Sequence, residues 1–528
     1  MKLSLNSIAD AGAWQGYHLP GYDPRVIAEN TKKNPRWLHF GSGNIFRIFP
    51  AVLCQRLLEQ GKTDTGVICC EGYDDELITK CYRPYDNLSI GVTLNADGRL
   101  DKEVIASVVE SLTMLYDRSR VEEIFRNPSL QMVSFTITEK GYSLRNARKE
   151  LMGAVVQDMA EGPANCRSFM AQLASMCLMR RAACGKPLAL VSMDNCSHNG
   201  EKLQSAIMEI AEAWLKNGKI TREDYDYLRN EIAFPWSMID KITPRPHPAV
   251  EKQLLEDGLE EISPFITSKN TFTAPFVNAE KPQYLVIEDQ FPNGRPALED
   301  AGVIFTTRDV VNKVEKMKVC TCLNPLHTCL AIYGCLLGYT SIAAEMQDGE
   351  LSTFITRMGR EEGMPFVVNP GVIDPEEFMN EVLTARLPNP FMPDTPQRIA
   401  TDTSQKLPIR FGETIKAYIA SETHEASELK LIPLVLAGWL RYLLAVDDEG
   451  KTMELSSDPL LEATQEKLQG ITLGGSFDDE QLRPILSDAS IFAVDLYSCG
   501  LAEKVIGYFR ELIAGPGAVR ATLVKYVD

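Results

Sequence analysis

Residues 314–328, V-E-K-M-K-V-C-T-C-L-N-P-L-H-T, set Lys318, Asn324 and His327 in a stretch that is otherwise apolar and helical in pattern. Polar groups placed there need partners or a task, because desolvating them without one costs free energy. Proton transfer at an alcohol is a task that suits all three. A lysine buried among apolar residues shifts toward its neutral form and becomes a base for a hydroxyl proton. Asn324 and His327 can donate to the alkoxide or orient the hydroxyl. Taken singly, each side chain is better explained by a solvated lysine or a hydrogen-bonded core amide or imidazole; together they say more. Cys320, Cys322 and His327 raise a zinc site as a rival. Residues two apart on a helix point about 200° from each other, however, so no metal is expected.

A second set lies near the start. Gly41-Ser42-Gly43 follows the short apolar run W-L-H-F and precedes apolar residues at helical spacing. Such a turn lets the backbone approach a pyrophosphate, with Asn44 and Ile45 opening the helix behind it. The third glycine of the usual pattern is replaced by Phe46, so an ordinary strand-to-helix turn stays open as the alternative. Glu71, 28 residues after Gly43, ends the next apolar run. A carboxylate there accepts from ribose hydroxyls and repels a 2′-phosphate, which favours NAD over NADP.

These residues need a scaffold of strands alternating with helices. Runs at 66–70, 131–137 and 188–192 read as strands, and 101–112 reads as a helical pattern between them, which predicts an α/β fold with a mainly parallel sheet covered on both faces. From residue 308 onward apolar helical runs dominate, at 310–339, 411–421 and 429–446. The expected division is a dinucleotide-binding domain over 1–307 and a mainly α-helical domain over 308–528. The proline-rich stretch 388–396 reads as a connecting loop.

Composition agrees with a protein of two or three domains. The 528 residues are 45% hydrophobic and 24% charged, with a net charge of −18 that repels phosphate backbones and anionic lipid. Nucleic acid and membrane are therefore poor partners, and a small molecule is expected. The first fourteen residues lack the apolar core of a secretory signal, and 431–446 carries Pro433 and Arg441, so a cytoplasmic protein with a buried helix there is expected. The thirteen cysteines are expected to be reduced thiols.

Several segments, in order, resemble the polyol-specific long-chain dehydrogenase/reductase (mannitol dehydrogenase) family: F-G-S-G-N-I-F-R, T-I-T-E-K-G-Y (136–142), S-M-D-N-C-S-H-N-G (192–200), F-P-W-S-M-I-D-K-I-T-P (234–244), V-I-E-D-Q-F-P-N-G-R-P (286–296) and the stretch from Lys318 to His327. The resemblance implies a Rossmann-like N-terminal domain, a helical C-terminal domain, and NAD-dependent, metal-independent hydride transfer at a secondary alcohol. It makes Lys318 the general base, Asn195 and Asn324 the holders of the alkoxide, His327 a catalytic neighbour and Glu315 the relay of the proton to solvent. It gives Arg398 and Lys406 the sugar chain, and places Glu139 and Asp240 in the pocket or beside the cofactor, with structural hydrogen bonding an equal alternative for both. F-G-S-G-N is closer to the uronate-reducing branch, so D-fructuronate and D-mannonate are the expected pair. D-mannitol with D-fructose, and a catalytically silent NAD-binding scaffold, are the alternatives; the oligomeric state is left open. One departure stands out: Lys318 and Asn324 are six apart, one more than is usual in the family. A π-bulge, or a helix break before Pro325, would absorb the extra residue.

Overall fold

The computed structural model describes residues 1–527, which divide into two compact units, one of residues 1–95 and 99–312, the other of 313–527 with 96–98. In the first unit a six-stranded sheet is built from β1 (Trp37–Phe40), β2 (Val67–Glu71), β3 (Val108–Thr113), β4 (Met132–Phe135), β5 (Leu188–Ser192) and β6 (Ile232–Ala233). Its spatial order is β3-β2-β1-β4-β5-β6, and every pairing is parallel. This is the dinucleotide-binding order, with its reversal between β1 and β4.

Both faces of the sheet are covered. Leu38, Phe40, Ile68, Val133 and Leu190 enter one core, and Trp37, Cys69, Met132 and Val191 enter the other. Burial on both sides explains why these strands read as near-continuous apolar runs.

The region 101–112 is not helical. It forms strand Leu100–Ile105, antiparallel to Ser89–Leu94, and then β3. The β-branched residues Val104, Ile105, Val108 and Val109 favour strands, and Asp101 sits exposed in the hairpin beside part-buried Lys102 and Glu103. Spacing alone had suggested a helix because the apolar residues sit three and four apart.

Behind β1, the chain forms α1 (Asn44–Ile48), breaks at Phe49, and continues as α2 (Pro50–Glu59). In the second unit α3 (Asn324–Leu336) and α4 (Leu431–Tyr442) are almost wholly buried. The helical run from Arg308 to Leu336, taken through its irregular turn at 318–323, is long and apolar enough to cross a membrane, which the sequence reading had not noticed; 78% of its apolar window is buried inside the protein. All thirteen cysteines are free thiols, most of them buried.

Candidate active site

In the first unit Gly41 has φ +105°, and a Cβ there would collide with the Thr136 carbonyl. Only glycine fits. At Gly43 a Cβ would meet nothing within 4 Å, so open space lies over the turn. Glu71, at the end of β2, is buried and held in place: Oε2 accepts from Ser42 N (2.9 Å) and Ser42 Oγ (2.6 Å). Oε1 accepts from the backbone N–H groups of Gly72, Tyr73 and Asp74. The carboxylate thus ties the glycine turn to the loop after β2; its roughly four lone-pair sites are already filled, so a ribose hydroxyl binds there by displacing the Ser42 hydroxyl. An open turn flanked by a fixed carboxylate fits a dinucleotide whose ribose carries free hydroxyls. Asn44 Oδ1 accepts from Arg47 (2.7 Å), and Ile45 packs against the core.

The loops after β4 and β5 are joined by Asp194. Its buried carboxylate accepts from Ile137 N (3.0 Å), Thr138 N (2.8 Å) and Tyr142 Oη (2.5 Å), and burial pushes its pKa up. Thr138 stands at φ +63°, a strained position for a β-branched residue, and strain of this kind gathers at functional sites. Asn195, next in the chain, is exposed. Glu139 is exposed and pairs with Lys202 at 2.7 Å. Asp240 is buried in a different, three-stranded sheet with Tyr284–Glu288 and Ile304–Thr306. Asp194 was not singled out from sequence, although S-x-D-N offered it.

In the second unit Lys318, 5% exposed, begins a π-helical turn, Lys318–Cys322. Leu323 N closes it by donating to Lys318 O, five residues back, at 3.1 Å. Leu323 then leaves helical geometry, and α3 starts at Asn324 with Pro325 in its first turn. The extra residue is therefore absorbed by a bulge and a break together. Glu315 lies part-buried one turn before Lys318. The three residues of the zinc alternative have different surroundings: Cys322 Sγ points at Pro375 O, Cys320 lies near Glu413, and His327 faces Asp394. Among the described residues no group of three or more His, Cys, Asp or Glu could hold a metal ion.

His327 Nε2 is buried, 3.7 Å from Asp394 and without a hydrogen-bond partner. Burial pushes the imidazole down to about 4; Arg410, Arg398 and Arg386 act the same way, and Asp394 opposes them. Arg398 pairs with Asp394 one turn earlier and is 61% exposed. Lys406 Nζ donates to the carbonyls of Ile399 (3.0 Å) and Thr401, and burial, with Arg410 and Arg398, lowers it to about 8. Arg386, Asp394 and Arg410 were missed in the sequence. Arg410 lies one helical turn beyond Lys406, and Asp394 one turn before Arg398, so i,i+4 spacing was the available signal.

Residues 35–300 match the mannitol dehydrogenase Rossmann domain, and 310–511 match the mannitol dehydrogenase C-terminal domain. The chain belongs to the mannitol dehydrogenase family. Among family members, it is 52% identical to a D-mannonate oxidoreductase of Thermotoga maritima, over 100% of this chain and 99% of the relative. It is 28% identical to a mannitol 2-dehydrogenase of Pyricularia oryzae, over 100% and 99%. A solved D-sorbitol dehydrogenase in substrate-free form, 25% identical, superposes with a TM-score of 0.81 over 96% of this chain and 98% of that one. The family relation makes this protein an oxidoreductase.

Proposed function

We propose that the protein interconverts D-mannonate and D-fructuronate with NAD as the hydride carrier and without a metal. The observation that carries this reading is the 52% identity, along the whole chain, to the D-mannonate oxidoreductase of T. maritima. Cations gathered around His327, in a chain of net charge −18, support an anionic substrate.

NAD, held at the Gly41–Gly43 turn, would supply the hydride acceptor for the carbinol carbon in oxidation and, as NADH, the hydride donor in reduction. The proton is the protein's part. Lys318 Nζ takes it from the substrate hydroxyl, and the amides of Asn324 and Asn195 donate to the oxygen as charge develops. Neutral His327 orients the hydroxyl, and Glu315 passes the proton toward solvent. In reduction the Lys318 ammonium gives the proton back. Gly41, Gly43, Asn44 and Ile45 form the turn for the pyrophosphate, Glu71 accepts from the adenosine ribose, and Asp240 and Glu139 border the pocket. Arg398 and Lys406 contact the sugar chain. Residues 1–307 are the cofactor domain and 308–528 the substrate domain.

The test is NADH formation from D-mannonate, with D-mannitol as the second substrate and NADP as the second cofactor. Turnover of D-mannonate with NAD, well above the other combinations, is expected. Preference for D-mannitol would move the protein to the polyol branch, and binding of NADH without any turnover would make it a scaffold.

A further inference from the structure

The cations around His327 are not equivalent. Arg398 is already neutralised by Asp394. Lys406 is bound to two backbone carbonyls and lies near Asp402 and Asp458. Arg410 is different: it lies on a second π-helical turn, Pro408–Gly412, and its guanidinium donates to the hydroxyl of Thr328, the residue next to His327. Among the described residues no carboxylate pairs with it. Burial alone lowers the guanidinium to about 10, with no acid nearby to offset the cost.

A part-buried guanidinium paired with a neutral hydroxyl is unfavourable unless a ligand supplies the negative charge. Its planar fork matches a carboxylate in two parallel hydrogen bonds. We infer that Arg410 is the specificity-determining residue that binds the carboxylate of the sugar acid and separates it from neutral keto sugars. This rests on the aldonate reading above. Arg398 and Lys406, which have partners of their own, keep the hydroxyl chain of the sugar. The unpartnered Nε2 of His327, beside Thr328, remains for a substrate hydroxyl.

The experiment compares kcat/KM for D-fructuronate with that for D-fructose, using NADH, in wild type, Arg410→Met and Arg410→Lys. The acid-to-neutral ratio is expected to fall about a hundredfold in Arg410→Met, mainly through KM of the acid, because a charge-assisted pair is lost. Arg410→Lys keeps the charge but not the fork, and a fall of about tenfold is expected. An unchanged ratio in Arg410→Met overturns the inference, whatever happens to the absolute rates. If Arg410→Met does not fold, Arg410→Lys decides: a reduced ratio supports the assignment, and a wild-type ratio overturns it. A wild type that does not reduce D-fructuronate contradicts the aldonate reading itself.

Discussion

Lys318 sits where the mechanism needs a base: 5% exposed, on a π-helical turn, just ahead of Asn324. Without a positioned acceptor an alcohol loses its proton poorly, so Lys318→Ala should lower turnover by about a thousandfold or more. NADH binding, followed by fluorescence, should stay near the wild-type value. An alanine variant within tenfold of wild-type turnover would pass the proton to another group. Glu71 makes a different claim. Glu71→Gln keeps the shape but removes the charge that repels a 2′-phosphate, and the NADH-over-NADPH ratio of kcat/KM should drop by about tenfold or more. Because Glu71 also accepts from Ser42 and three backbone N–H groups, some stability should be lost as well. A ratio that does not move would remove Glu71 from cofactor choice.

Among the elements, π-helical turns recur in the second unit, and three of them carry Lys318, Arg386 and Arg410. Each inserts a residue that breaks the 3.6-residue repeat, which is why the site was only partly legible in the sequence. The odd spacing from Lys318 to Asn324 signalled one bulge; nothing comparable marked the other two, and Arg386 and Arg410 went unnoticed. The sheet was more legible, since W-L-H-F, V-I-C-C-E and L-A-L-V-S are buried on both faces. The segment 101–112 was misread because two adjoining strands, one at a sheet edge, imitate helical spacing. Glu345, in the short helix Ile342–Glu345 after α3, is fully buried, and both carboxyl oxygens lack hydrogen-bond partners. Burial pushes it up from 4.5 to about 9, with Asp348 adding. The folded chain holds a proton there that the unfolded chain releases, so this group's contribution falls as pH rises from about 4.5 to about 9. Wild type should lose stability relative to Glu345→Gln by on the order of 1 kcal/mol per pH unit between about pH 5 and 8. Chemical unfolding at several pH values measures the difference, and a flat difference would mean that Glu345 does not titrate there.

On the scale of the whole molecule, an acidic protein concentrates cations around one part-buried histidine, and no metal chemistry is needed for the step proposed. Dialysis against EDTA should leave turnover unchanged; loss of activity restored by zinc would contradict the lysine mechanism. The central claim is that this member of the mannitol dehydrogenase family acts on a sugar acid, and one competition experiment tests it directly. Equal concentrations of D-fructuronate and D-fructose are offered with limiting NADH, and the products are counted. The ratio of D-mannonate to D-mannitol reads the ratio of kcat/KM. An excess of D-mannonate of about a hundredfold or more is expected; equal products, or more D-mannitol, would contradict the account.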